Sequence, residues 1–153
     1  MAARRVIDRD RGWRKLRQDL EKTSAKRRVL VGIQSDDGGR DDGLNNAELA
    51  AVHEFGRLDG TIPERSFIRA TIDENAAKYK ALAKLLSKGV INRKMTATQA
   101  LEILGQKVVA DIRARIRAGI KPDLATATIA RKGSSKPLID SNQLINAITY
   151  KVV

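Results

Sequence analysis

The stretch TATQALEILGQKVVADIRARIRAG, residues 96–119, decides the fold of this chain. Thr96 and Gln99 have the spacing of a capping box, in which two side chains satisfy the free N–H groups at a helix start. Apolar side chains then return every three or four residues as far as Gly119, which favours a helix with one buried face. We therefore predict a long core helix, and its buried face consists of Leu101, Leu104, Val108, Ile112 and Ile116.

Two short segments outside this helix have the composition of strands. The β-branched run Val29 to Ile33 follows directly after Arg28 and predicts a buried strand. In the last six residues, Ile148, Tyr150 and Val152 alternate with other residue types, which predicts a half-buried strand. The predicted fold class is therefore α+β, with a small antiparallel sheet packed by the long central helix and by shorter helices, and with extended loops between them.

Three further helices are predicted from apolar spacing and capping residues. A short amphipathic helix spans Asp10 to Glu21, and a second begins near Ala47 and ends at Gly56. A third, of about four turns, begins at a capping Asp73 and stops at Gly89. The second helix is capped by Asn45 or Asn46, the first has Trp13, Leu16 and Leu20 on its apolar face, and the third has Ala76, Tyr79, Leu82, Ala83 and Leu86.

The connecting segments predict contact loops and a simple domain division. Residues 34–43 are rich in aspartate and glycine, and residues 121–136 have no apolar face, so both are expected to be loops. Thr61 to Pro63 is expected to be extended. We divide the chain into a basic N-terminal helix or arm, residues 1–28, and a single α+β domain, residues 29–153.

Charge is distributed unevenly along the 153 residues, whose net charge is +12. Residues 1–28 carry 11 basic and 4 acidic side chains, residues 29–76 carry 4 and 10, and residues 77–153 carry 15 and 4. Copies with opposite patches on different faces can attract one another head to tail. The alternative is a solvated surface that only keeps the protein soluble.

The residue types that most enzymes and metal sites need are scarce. The chain has no cysteine and one histidine, His53, and the position at which a zinc-protease motif needs a second histidine is Arg57. No serine has the context of a nucleophile, and the acidic loop lacks the ligand spacing of a calcium-binding loop. We predict no catalytic, cofactor or metal site, and expect His53 to be structural. No segment is apolar enough to cross a membrane, so we expect a soluble protein made in the cytosol.

Nucleic-acid binding is the alternative that the basic charge favours. Five cations on or near the polar side of the long helix are candidates for phosphate contacts, and the five aromatic residues are expected at core positions rather than on a base-stacking surface. Any contact with DNA is therefore expected to be electrostatic and independent of sequence. The cations are Lys107, Arg113, Arg115, Arg117 and Lys121, and the aromatic residues are Trp13, Phe55, Phe67, Tyr79 and Tyr150.

Three blocks of the chain resemble one protein family. The stretch AELAAVHEFGRLDGTIPERSFIRATID, which opens at Ala47, is similar to the signature of phage virion-morphogenesis, neck and tail-completion proteins, in which H-E-F-G is followed by I-P-x-R-x-F-[IL]-R. MTATQALEILGQKVVADIRARI resembles the family's central helix, and PLIDSNQLINAITYKV its last block. Ser66 and the pair Ser141 and Asn142 depart from the family pattern. The motif positions are His53, Glu54, Phe55, Gly56, Ile62, Pro63, Arg65, Phe67 and Arg69.

This resemblance implies a non-enzymatic virion protein. Copies made in the bacterial cytoplasm would assemble into a ring at the head-tail junction, joining the head connector to the tail and lying close to packaged DNA. The expected subunit contacts are the acidic loop, the excursion at residues 121–136 and the last strand, which can add to a neighbouring sheet. The contact candidates are Asp36, Asp37, Asp41, Asp42, Ile148, Tyr150 and Val152.

The motif residues also have structural roles that physics predicts. Gly56 can supply a helix stop, Pro63 an extended entry, and Phe67 with Ile68 an anchor in the core. Arg65 and Arg69 would share a face if this stretch is helical. They would then pair with Glu54, with a neighbouring subunit's carboxylates, or within the chain. A monomeric DNA-binding accessory protein is the alternative function, and a tail-associated hydrolase ranks far behind both.

Overall fold

The computed structural model of the chain describes residues 13–15, 17, 18, 27–34, 45–123 and 143–153. The fold is α+β, as the sequence predicts, and no helix in these ranges is both long enough and apolar enough to span a membrane. In chain order the elements are β1 (Val29–Ile33), α1 (Asn46–Phe55), α2 (Arg69–Ile91), α3 (Ala97–Ala118), α4 (Gln143–Ala147) and β2 (Ile148–Val152).

The long helix α3 lies at the centre and confirms the prediction from its sequence. The capping box is formed, because the Gln99 N–H donates to Thr96 Oγ1 at 3.2 Å and the Thr96 N–H donates to Gln99 Oε1 at 2.8 Å. Ile112 and Ile116 are fully buried, and α3 contacts α2 and both strands. The other buried apolar residues of the core cluster are Ala50, Phe67, Val108, Val109, Ile120, Leu144, Ile145 and Ile148.

Within the described ranges the sheet has two antiparallel strands, with Val29 opposite Val152 and Ile33 opposite Ile148. One face packs on the core, while on the other face Leu30 is 41% exposed. The prediction that β1 is buried was therefore wrong, because a two-stranded sheet over a single helix is covered on one face only. The half-buried character predicted for β2 is confirmed.

Close packing between α3 and the sheet depends on Gly105. A Cβ atom at this position would lie 2.8 Å from the Cγ and Cδ2 atoms of Tyr150 and 2.8 Å from Cγ2 of Val29. These distances are shorter than van der Waals contact, so no larger residue fits unless the sheet moves away. Gly105 thus sets the separation of helix and sheet.

Helix α2 is longer than predicted at both ends. It begins at Arg69 rather than at Asp73, which lies inside the helix and does not cap it. At the other end Gly89 remains helical. The helix stops beyond it, where Arg93 adopts the left-handed conformation with φ 57°. The Lys94 N–H then donates to the Gly89 carbonyl, and the Arg93 N–H to the Val90 carbonyl, each at 2.9 Å. This is a Schellman motif in which an arginine stands where glycine is usual.

Two aromatic residues expected in the core are exposed. Trp13 is 65% exposed and Phe55 is 67% exposed, whereas Phe67 is fully buried and Tyr79 and Tyr150 are half-buried against the core. Amphipathic spacing specifies one face of a helix but not what covers that face. In α1 the buried residues Asn46, Ala50 and Glu54 define the inner face, and Phe55 points away from it.

Several predicted features lie outside the described residues. These are nearly all of the acidic loop at residues 34–43 with its four aspartates, most of the excursion at residues 121–136, and Leu16, Leu20, Ser141 and Asn142.

Candidate functional site

The family-like motif spans the end of α1, which lies at Gly56. Asn45 caps α1 by accepting from the Ala47 N–H at 2.9 Å, and Gly56 ends it with φ 74° and ψ 177°, a conformation essentially restricted to glycine. A Cβ on Gly56 would also lie 2.9 Å from the backbone nitrogen of Glu64. Glycine is therefore required both by its backbone angles and by the chain that passes beside it.

After Gly56 the chain makes a short loop and returns along α1. The Arg57 N–H donates to the Ile62 carbonyl at 2.9 Å, and Asp59 Oδ1 accepts from the Thr61 N–H at 3.0 Å and the Thr61 hydroxyl at 2.6 Å. The chain bends at residues 61 and 62, so the prediction of an extended segment at Thr61 to Pro63 was wrong for these two residues. The Arg65 N–H then donates to the His53 carbonyl at 2.7 Å and holds the returning chain against α1.

The centre of the motif is the buried carboxylate of Glu54, which is 5% exposed. Its Oε2 accepts from the Phe67 and Ile68 N–H groups at 2.8 and 2.9 Å. Its Oε1 accepts from the Arg69 N–H at 2.9 Å and from the Ser66 hydroxyl at 2.7 Å. These are the N–H groups at the start of α2 that have no partner within the helix. Glu54 is therefore the cap of α2, supplied by the preceding helix.

The charge state of Glu54 follows from these contacts. Burial raises the pKa of this carboxyl, but hydrogen bonds from the Ile68 N–H, the Ser66 hydroxyl, the Arg69 N–H and the Phe67 N–H outweigh burial and leave the pKa below its ordinary value. The positive end of the α2 dipole also favours a negative charge at this place. Glu54 is thus an ionised structural group and not a proton donor.

Ser66 completes the cap, which sequence reasoning did not foresee. Its hydroxyl donates to Glu54 and accepts from the Ala70 N–H at 3.2 Å. Serine before the first turn of a helix is a familiar capping signal, but this signal was noted in the sequence only as a departure from the family pattern.

Arg65 is 4% exposed and binds main-chain carbonyls rather than a carboxylate. Its Nε donates to the Pro122 carbonyl at 2.8 Å and its Nη2 to the Asp123 carbonyl at 3.2 Å. Burial lowers the pKa of Arg65, and the nearby Asp123 charge opposes this effect. Arg65 thus fastens the motif to the chain that follows α3.

The predicted pairing of Arg65 or Arg69 with Glu54 was wrong. Arg65 precedes α2, so it does not share a helical face with Arg69. The Arg69 guanidinium instead forms an exposed ion pair with Glu64, which is the intrachain alternative. Of the other motif residues, Phe67 is fully buried as predicted, His53 and Ile62 are half-buried, and Pro63 is exposed.

An apolar groove of about 480 Å³ opens beside the motif, between α1, α2 and the end of β1. The exposed Phe55 and the 40% exposed Ile72 line it, together with Ile33 and Ile68. The motif therefore has a buried polar side that ties elements together and an exposed apolar side.

One outer edge of the sheet is formed by β2. Arg28 and Val153 exchange both of their backbone hydrogen bonds, at 2.8 and 3.0 Å. Because bonded and non-bonded pairs alternate in an antiparallel ladder, the N–H and C=O groups of Tyr150 and Val152 point away from β1. On this outer edge the Ile148 carbonyl accepts from Arg113 Nη2 at 2.7 Å, whereas no residue of the described ranges bonds the edge groups of Tyr150 and Val152. The side chain of Ile148 is itself fully buried.

At least three of the five cations proposed for phosphate contacts are engaged within the chain. Arg113 donates to the Asn146 and Ile148 carbonyls, Arg115 pairs with Glu74 at 2.5 Å, and Lys107 pairs with Asp111 at 2.6 Å. Arg117 and Lys121 are exposed. The polar side of α3 is therefore largely used to hold α2, α4 and β2.

The described site consists of a buried polar network around Glu54 and an exposed apolar groove beside it. Among the described residues, no group of three or more histidine, aspartate or glutamate side chains is placed to hold a metal ion. No family model, curated protein or solved structure matches the chain.

Proposed function

We propose that this chain is a structural subunit of the head-tail junction of a tailed bacteriophage, where copies form a ring that joins the head connector to the tail. The observation that carries the proposal is the buried Glu54 cap. It joins the two halves of the family-like motif, H-E-F-G and I-P-x-R-x-F-I-R, into one scaffold. This motif stabilises a fold and presents a surface, which suits an assembly protein.

The two sheet edges suggest how copies assemble. If the outer edge of β2 pairs with the outer edge of β1 in the next copy, the antiparallel order continues from subunit to subunit. Such a contact joins unlike surfaces, and contacts of this kind close into rings. The groove beside β1 would receive apolar side chains of the neighbour, and the acidic residues Asp36, Asp37, Asp41 and Asp42 would face its basic segments.

Assembly through β2 can be tested without unfolding the subunit. Truncation before Ile148 is unsuitable, because it removes a fully buried side chain. Val152→Pro removes only an outward N–H and should leave the pairing with β1 intact. Val152→Ala is the matched control, since it shortens the side chain and keeps the N–H. We expect Val152→Ala to assemble and Val152→Pro to remain monomeric with an unchanged circular dichroism spectrum. Rings formed by Val152→Pro would contradict this route.

The location in the virion has its own test. An antibody against the protein should label the head-tail junction of virions in electron micrographs, even if the purified protein is monomeric. Absence of the protein from purified virions would overturn the proposal and favour a DNA-binding accessory protein instead.

A further inference from the structure

A surface that sequence reasoning did not single out lies on α2. Between Glu74 and Glu102 the chain has six basic residues and no acidic residue. All six basic side chains are exposed. They are Lys78, Lys80, Lys84, Lys88, Arg93 and Lys94.

Three of these residues form a regular row, Lys80, Lys84 and Lys88, which we call the lysine row. Residues four apart lie on one side of a helix and are separated by about 6 Å along its axis, so the row spans about 12 Å. Because α2 is a continuous helix from Arg69 to Ile91, the row is a rigid linear array of positive charge.

The charge of the lysine row is uncompensated. None of its three ammonium groups has a carboxylate within ion-pair distance among the described residues, whereas Arg115 and Lys107 do. Like charges four residues apart in a helix destabilise it slightly. Solubility does not require this regular spacing.

We infer that the lysine row, extended by Arg93 and Lys94, binds the phosphate backbone of duplex nucleic acid. One strand of a duplex presents a phosphate about every 3.4 Å of helix axis, so the length of the row faces three or four phosphates. The row contains no aromatic side chain that could stack on a base. Its contacts with the nucleic acid are made to phosphates, and binding is therefore independent of sequence. The inference holds whether or not the chain forms a ring.

The test is the salt dependence of binding to a duplex of about 16 base pairs, followed by fluorescence anisotropy. Each phosphate contact contributes about 0.9 to the slope of log affinity against log salt. The triple variant Lys80→Gln, Lys84→Gln, Lys88→Gln should therefore have a slope smaller by about 3 than the unaltered chain. If each of the five residues makes one contact, the unaltered chain loses about 500-fold in affinity between about 50 and 200 mM salt, and the triple variant only about 12-fold.

The matched control is the variant Arg28→Gln, Arg57→Gln, Lys151→Gln, which loses the same charge elsewhere on the surface. We expect this control to change the slope by less than 1, and a variant with arginine at all three row positions to keep the original slope. Equal slopes for the two glutamine variants, at unchanged circular dichroism, would overturn the inference. Polyglutamate binding that depends on the row, without duplex binding, would identify an acidic protein as the partner and would also overturn it.

Discussion

Replacing the buried Glu54 tests the reasoning about the motif most directly. In Glu54→Gln the side chain keeps its size, but one carboxylate oxygen becomes an NH₂ donor. The new NH₂ group can donate to the Ser66 hydroxyl, which can rotate to accept this bond. The Arg69 N–H then has no acceptor. The variant thus loses one hydrogen bond to a charged group, so we expect the free energy of unfolding to fall by about 2 kcal/mol.

Removing the side chain beyond Cβ should cost more. In Glu54→Ala the N–H groups of Phe67, Ile68 and Arg69 all lose their acceptor. A buried donor without a partner costs about 1–3 kcal/mol, so we expect a loss of about 3–5 kcal/mol once water has reached part of the site. For a domain of this size, each kcal/mol lowers the melting temperature by about 2–4 °C.

The effect should depend on pH in one direction. Because the pKa of Glu54 is lower in the folded chain than its ordinary value of 4.5, its stabilisation is present above that value and is lost as the pH falls through the folded pKa. Urea denaturation at neutral pH should therefore separate Glu54→Gln from the unaltered chain. The same measurement well below pH 4.5 should bring the two together.

Glu64 provides the control, because it lies in the same motif but forms only an exposed ion pair with Arg69. Glu64→Gln is expected to change the free energy of unfolding by less than about 1 kcal/mol. Equal losses for Glu54→Gln and Glu64→Gln, or a Glu54→Gln loss that persists in acid, would refute the capping role.

Three further predictions concern α2, α3 and their contacts. Gly105→Ala should destabilise the fold by about 1–3 kcal/mol, because the added Cβ meets Tyr150 and Val29 at 2.8 Å. Gly89→Ala should be neutral or stabilising by up to about 1 kcal/mol, because the added Cβ meets only the flexible end of Met95. Chemical denaturation of Gly105→Ala and Gly89→Ala should show free-energy changes of opposite sign, or no change for Gly89→Ala. The pKa of Tyr79 is raised to about 12 by burial, by the hydrogen bond to Asp111 and by the charge of Asp111. The stabilisation from the protonated Tyr79 is therefore present below pH 10.0, its ordinary pKa, and is lost as the pH rises through about 12. The difference between ultraviolet titrations of the unaltered chain and Tyr79→Phe should show this ionisation, and a midpoint near 10.0 would contradict it.

The parts of the fold that were predicted correctly are governed by local sequence. The capping box of Thr96 and Gln99, the periodic apolar residues of α3 and the alternation in β2 act between residues close in the chain, so their physics can be deduced without coordinates. The end of α1 at Gly56 belongs to the same group. Each of these features is present in the structure.

The predictions that failed depend on contacts between distant segments. The predicted cap of α2, Asp73, lies five residues after the observed cap position, Ile68, because the capping side chain of Glu54 belongs to another helix. Arg65 was expected to meet a carboxylate, but its partners are carbonyls beyond α3, and carbonyl positions leave no signal in the sequence. The exposure of Phe55 could not be foreseen, since spacing does not say which helical face meets the core.

The lysine row was overlooked for a different reason. Only the apolar face of α2 was considered in the sequence-based prediction, and phosphate contacts were predicted for the arginines of the longest helix. Burial of Arg113 and Arg115 against backbone and carboxylate partners reverses this order. Counting acidic residues around each basic cluster would have found the row from the sequence.

The sheet also imposes an order on folding. Helices α1 to α4 lie between β1 and β2 in the chain, whereas α2 and α3 are neighbours joined by a short connection. Local contacts form sooner than contacts that close a long loop, so the α2 and α3 pair is expected to form early and the sheet late. During synthesis β1 leaves the ribosome long before β2 exists, and until then both of its edges are exposed to chaperones and to other nascent chains.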